Sequence, residues 1–142
     1  MKRHPHLQPL SDDHHAALVL ARRMRSLPEA AANPVDRAKA WEGARARFAR
    51  ELEPHFRVEE KWLFPPLAAA GEQALADRAV SDHRRLRELI ASPPERAVEF
   101  GEILHRHVRF EERELFPRAE SVLDLATLEA AGRAALAARK QP

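Results

Sequence analysis

One phrase occurs twice in this chain. His55-Phe56-Arg57-Val58-Glu59-Glu60-Lys61-Trp62-Leu63-Phe64-Pro65 returns as His107-Val108-Arg109-Phe110-Glu111-Glu112-Arg113-Glu114-Leu115-Phe116-Pro117. Each copy sets a histidine four positions ahead of a glutamate, His55 with Glu59 and His107 with Glu111. That spacing is about one helical turn and puts both side chains on one face. An imidazole nitrogen stacked with a carboxylate oxygen is half of a transition-metal site, and two copies supply most of a whole one. Two further histidines follow an aspartate: Asp13-His14 and Asp82-His83. The chain therefore reads His, His-x-x-x-Glu, His, His-x-x-x-Glu.

The elements that must position these residues are punctuated by proline. Residues 1–8 read as an arm. A first helix is predicted from about 9 to 27, where Leu10, Ala17, Leu18, Ala21 and Met24 keep the helical period. Residues 26–33 read as a turn region. Asn33-Pro34 then reads as a cap with proline in the first helical position. A second helix should run to about residue 64, with a kink or lost hydrogen bond at Pro54, and end at Pro65-Pro66. Gly71 falls in a short connection. A third helix is expected over about 72–91 and is broken by Ser92-Pro93-Pro94. A fourth spans about 95–116 and stops at Pro117. A last amphipathic segment covers about 122–139. No stretch alternates with period two, so no strand is predicted. The expected fold is all-α: a single domain over 1–142, an up-down-up-down four-helix bundle over about 9–118, and a short additional C-terminal helix packed across one end.

Depth and facing bring the four histidine contexts together. In the second and fourth helices the histidine lies ~15 Å before its proline, at 1.5 Å per residue. An antiparallel third helix carries His83 to the same level. Phe48, Leu52, Val58 and Trp62 fall on the side of His55, and Phe100, Ile103, Leu104 and Phe110 on that of His107, so both pairs should face the core. Lone buried charges cost several kcal/mol, on the order of what a small domain has to spare. The cluster therefore needs either a hydrogen-bonded network or a metal. A dinuclear site satisfies it best, with the two carboxylates able to bridge.

His14 competes with His15 for the first-helix position. Leu10, Ala17, Ala21 and Met24 lie on the side of His14, whereas His15 points ~100° away, towards Arg22. His105, on the opposite face from His107, is expected in solvent, and His4 and His6 at the surface of the arm. Glu60 and Glu112 read as surface groups or hydrogen-bond partners, although Glu112 can stand in for Glu111. Glu114 takes the core-facing place that Trp62 takes in the other copy. It is expected at a wet end of the bundle or in a polar channel to the site.

Composition excludes several chemistries. The 142 residues include no cysteine and no tyrosine, so disulfides, thiolate ligands, iron–sulfur clusters and tyrosyl radicals are out. Lys and Arg number 24 against 22 acids. Arg22-Arg23-Met24-Arg25 and Arg84-Arg85-Leu86-Arg87 then read as solvated helix faces, with no nucleic-acid partner expected. No apolar run approaches the ~18 residues of a membrane span, and the start lacks the apolar stretch of a signal peptide. A cytoplasmic protein without a membrane partner is the expectation.

His14, His55 with Glu59, His83, and His107 with Glu111, together with the Leu-Phe-Pro endings, closely resemble the hemerythrin-like, or HHE cation-binding, domain. The resemblance runs from about Leu7 to Ala119. It implies a four-helix bundle around a non-haem di-iron centre, these six residues as ligands, and Glu59 and Glu111 bridging two Fe ions beside an oxo or hydroxo group. Oxygen-carrying members have a further histidine four residues after the third-helix one; that place is Arg87 here, which leaves more positions for water or a small ligand. Spacing alone also suits Zn or Mn. The expected function is binding or sensing of O2, NO or peroxide, or handling of iron. One alternative is a di-iron redox enzyme consuming peroxide or NO; another is a metal-free helical interaction module.

Overall fold

The computed structural model describes residues 2–140, and among them no strand occurs. Helix α1 is Gln8–Arg25 and a single turn, α2, is Leu27–Ala30. Asn33 caps α3 (Pro34–Arg47) by accepting the Asp36 N–H, with Pro34 at the first turn. From there the chain stays helical to residue 69, through a π turn at Phe48–Leu52, α4 (Glu53–Val58), a second π turn at Glu59–Leu63, and α5 (Phe64–Ala69). Gly71, at φ 98°, makes the turn into α6 (Gln73–Ile90). A second composite rod holds α7 (Ala97–Phe110), a π turn at Glu111–Leu115 and α8 (Phe116–Val122). Asp124 then caps α9 (Leu125–Arg139) by accepting the Thr127 N–H.

The π turns explain why the prolines do not end these rods. After each, one N–H reaches the carbonyl five residues back: Glu53 to Phe48, Phe64 to Glu59, and Phe116 to Glu111. The next residue is Pro54, Pro65 or Pro117. Proline lacks the N–H and its ring collides with the carbonyl four back in a tight α turn; the wider turn relieves both. The expected break at Pro54 is such a turn. The expected stops at Pro65-Pro66 and Pro117 are corrected, because the rods run on to Ala69 and Val122. The widened turn also rotates the side chains within it. Trp62, expected in the core, is 40% exposed, and Leu63 is turned inward and fully buried instead.

α1, the 34–69 rod, α6 and the 97–122 rod form the up-down-up-down bundle, with α1 against α7 and α6 against α5 and α7. Gly101 permits the α1–α7 approach, since a Cβ there would sit 2.6 Å from the Ala21 carbonyl and 2.8 Å from the Arg25 nitrogen. Two apolar clusters fill the interior. One contains Ala17, Phe56, Leu86 and Val108; the other contains Leu10, Val58, Ala79 and Phe110. On every rod a site histidine lies between a residue of the first cluster and one of the second, so the polar layer is sealed at both ends.

Two expectations about the flanks are corrected. α9 lies along α1 and the 34–69 rod rather than across one end. Gly132 of α9 sits against the His6 carbonyl, and a side chain there would collide with it. The arm is docked, not free: Leu7 is fully buried, and the His4 N–H donates to Glu120. His4 and His6 are half-buried within it. No helix among the described residues is long and apolar enough to cross a membrane.

Candidate metal centre

The six residues singled out by spacing are the buried polar side chains of the described chain: His14, His55, Glu59, His83, His107 and Glu111. His14 is on α1, His55 on α4, His83 on α6 and His107 on α7. Glu59 and Glu111 each open a π turn, the widened backbone often found where helices carry chemistry. His15 is exposed, so α1 offers His14. His105 is half-buried and stands apart from the cluster in its surroundings: burial and then Arg25, Arg109 and Arg113 hold its pKa down.

Each glutamate stands between histidines of two rods. Glu59 Oε1 lies 3.4 Å from His55 Nε2 and 3.2 Å from His83 Nε2. Glu111 Oε1 lies 3.0 Å from His14 Nε2 and 3.5 Å from His107 Nε2. Donor atoms of His14, His55, Glu59 and Glu111 all fall within 4.8 Å of one another, as do those of Glu59, His83, His107 and Glu111. The two groups share both carboxylates. Nε2 of His55, His83 and His107, both oxygens of Glu59 and one of Glu111 are buried without a hydrogen-bond partner. Buried donors left in this way cost ~1–3 kcal/mol each, and a cation between them satisfies all at once. The donor set fits metal.

Every outward nitrogen, in contrast, is held. Nδ1 of His55 is 2.9 Å from Asp13, that of His83 is 2.8 Å from Glu60, that of His107 is 3.0 Å from Asp82, and that of His14 is 2.7 Å from Glu112. The four contacts close a ring: α1 orients the histidine of the second rod, the second that of α6, α6 that of the fourth, and the fourth that of α1. A carboxylate on Nδ1 fixes the tautomer that aims Nε2 at a metal. Sequence reasoning named Glu60 and Glu112 as surface groups or hydrogen-bond partners, with Glu112 also as a stand-in for Glu111, and it missed Asp13 and Asp82. The repeated Asp-His and Glu-Glu dipeptides were the available signal.

Aromatic rings complete the walls. Phe56 stacks on His83 with centroids 3.7 Å apart, and Phe116 on His14 at 5.3 Å. Arg87, four residues after His83, turns away from the inner donors. Its Nη1 lies 2.8 Å from Glu60 and its Nε 3.0 Å from Glu53. Glu114 is exposed and pairs with Arg78 at 3.6 Å, so it opens no channel to the site.

Burial and the clustered charges shift the titrating groups of the pocket. Burial opposes charge on His83, but the Glu59 and Glu60 carboxylates beside it carry its pKa up to about 9. Burial likewise opposes charge on His55, yet the Glu59 charge and the Asp13 hydrogen bond hold it well above its usual value. His14 is raised against burial by Glu111 and Glu112. Glu59, despite burial, is held well below the usual carboxylate range by His55 and His83. Glu111 is pushed up by burial and then by the Glu59 charge. Two carboxylates this close repel, and the site asks for positive charge between them.

The model of the hemerythrin HHE cation-binding domain matches residues 6–119. No curated protein and no solved structure matches the sequence. Residues 6–119 include all six inner donors and all four orienting carboxylates, and by that match the chain belongs to the hemerythrin family of HHE cation-binding domains.

Proposed function

We propose that the chain holds two iron ions, one beside His14 and His55 and one beside His83 and His107, with Glu59 and Glu111 shared between them. The observation that carries this reading is the pair of four-donor groups with both carboxylates in common. Two imidazoles with shared carboxylates leave an iron short of its full ligand number, which is the donor pattern of sites that take up O2 or a related small molecule. When bound, the metals supply a redox-active Lewis acid able to bind O2, NO or peroxide. The protein's own part is to aim four imidazoles, exclude bulk water with Phe56, Phe64, Phe110 and Phe116, and hold the Nδ1 protons on the outer carboxylates.

The same wall supports binding or sensing over turnover of peroxide or NO. Redox turnover benefits from a positioned proton donor within hydrogen-bond reach. Among the described residues the buried polar side chains are the six donors themselves, and Glu114 faces Arg78. The test is metal analysis and an absorption spectrum of protein purified anaerobically after iron supply, before and after O2. About two irons per chain and a charge-transfer absorption that appears with O2 are expected. One metal per chain, or zinc alone, would sink the reading.

A further inference from the structure

We propose that Arg3 and Arg139, from the segments flanking the matched residues 6–119, clamp the carboxylates that aim His14 and His55, and so hold one metal position more firmly than the other. This rests on the two-metal reading above.

The geometry is the same on both flanks. Arg139 of α9 places Nη2 2.9 Å and Nε 3.1 Å from Asp13 Oδ1, while Oδ2 of the same carboxylate holds His55 Nδ1 at 2.9 Å. Nη2 of Arg139 also donates to the Pro9 carbonyl. Arg3 places Nη2 3.3 Å from Glu112 Oε1 and 2.8 Å from the Glu112 carbonyl, and Nη1 3.0 Å from Glu120. Glu112 Oε2 holds His14 Nδ1 at 2.7 Å. In each case one carboxylate oxygen faces an imidazole and the other a guanidinium. That arrangement fixes the rotation of the carboxylate, and through it the tilt of the ring.

Both clamped imidazoles belong to one donor group, His14 and His55 with Glu59 and Glu111. The other group is treated differently. Glu60, which holds His83, is gripped by Arg87 from within the bundle. Asp82, which holds His107, has no arginine or lysine partner among the described ion pairs, and its side chain is 27% exposed. The flanking segments also touch each other, where Gly132 lets α9 settle against the His6 carbonyl of the arm. The His14–His55 position therefore has arginine behind both of its orienting carboxylates, and the His83–His107 position behind one.

The test loads the full chain anaerobically with Fe(II) and follows its release to a colorimetric ferrous chelator. The wild type is expected to release its iron in two phases. In the double variant Arg3→Gln, Arg139→Gln the slow phase should accelerate about tenfold, the scale on which outer partners act on metal affinity, with the fast phase unmoved. Arg139→Lys should restore part of the effect, and Arg118→Gln, at an exposed pair with Glu72, should change neither phase. If the double variant fails to fold, Arg139→Gln alone carries the same expectation, because that side chain is at the surface. Wild-type uptake of fewer than two irons would overturn the two-metal reading and this inference with it. Full uptake with an unmoved slow phase, or acceleration of the fast phase alone, would overturn the clamp and leave the two-metal reading standing.

Discussion

Asp13 Oδ2 lies 2.9 Å from Nδ1 of His55, although the two residues sit on different rods and 42 positions apart in sequence. Asp82 repeats the relation with His107 at 3.0 Å. The duplicated phrase is thus duplicated in its supports as well as in its donors.

The shared carboxylates make a prediction about stoichiometry. Glu59 belongs to both donor groups and His83 to one. Glu59→Gln should lower metal content from about two per chain towards none, whereas His83→Ala should leave about one. Elemental analysis of the purified variants measures this, and equal losses in both would contradict a shared Glu59.

Asp82 predicts an outer effect on the inner donors. Asp82→Ala removes the acceptor of the His107 ring N–H without touching an inner donor. Metal affinity should fall on the order of 10–100-fold, with helicity unchanged. Competition titration against a chelator reads it, and an affinity equal to the wild type would refute the orienting role.

Glu111 predicts a conflict between stability and binding. Its pKa is raised by burial and by the charge of Glu59. Glu111→Gln removes that charge, so the metal-free chain should gain ~0.5–2 kcal/mol while metal binding is lost. Denaturant melts of chelator-treated wild type and variant decide the sign.

The pH dependence comes from two groups. His83 is raised from 6.5 to about 9, so its contribution to the metal-free fold is complete below pH 6.5 and is lost as pH rises through about 9. Glu60, against burial, is lowered from 4.5 to about 2 by His83 and Arg87, so its contribution is present above pH 4.5 and lost as pH falls through about 2. Metal takes the neutral imidazole, and its binding strengthens as His83 gives up its proton. The gap in melting temperature between metal-loaded and metal-free protein should widen from pH 6.5 towards about 9. A gap that is flat or narrows over that range would contradict it.

Gly101 tests the packing that places His14 beside Glu111. Gly101→Ala drives a methyl into the Ala21 carbonyl and the Arg25 nitrogen, both of them backbone atoms that cannot swing aside. A loss of about 1–3 kcal/mol is expected by thermal or denaturant melting. An unchanged melt would show that α1 and α7 separate freely.

The sequence by itself picked out the six polar side chains that the fold buries and the rods that carry them. A His-x-x-x-Glu spacing puts both side chains on one helix face wherever the helix goes, and apolar periodicity says that the face is buried. His14 was separable from His15 for the same reason, since the side matching Leu10, Ala17 and Ala21 is the buried one. The rod ends were misread at Pro65 and Pro117 because a proline reads locally as a stop, and only the π turn before it lets the helix continue. That turn also decided that Leu63 rather than Trp62 faces inward. Only the tertiary structure decided which carboxylate holds which imidazole. Asp13 is adjacent to His14 in sequence, but it points ~100° away around the helix axis and so towards the neighbouring rod. It meets His55 there because the rods pack antiparallel at one depth. Arg139 reaches the same carboxylate because α9 lies along the bundle's side, a placement that no local spacing encodes.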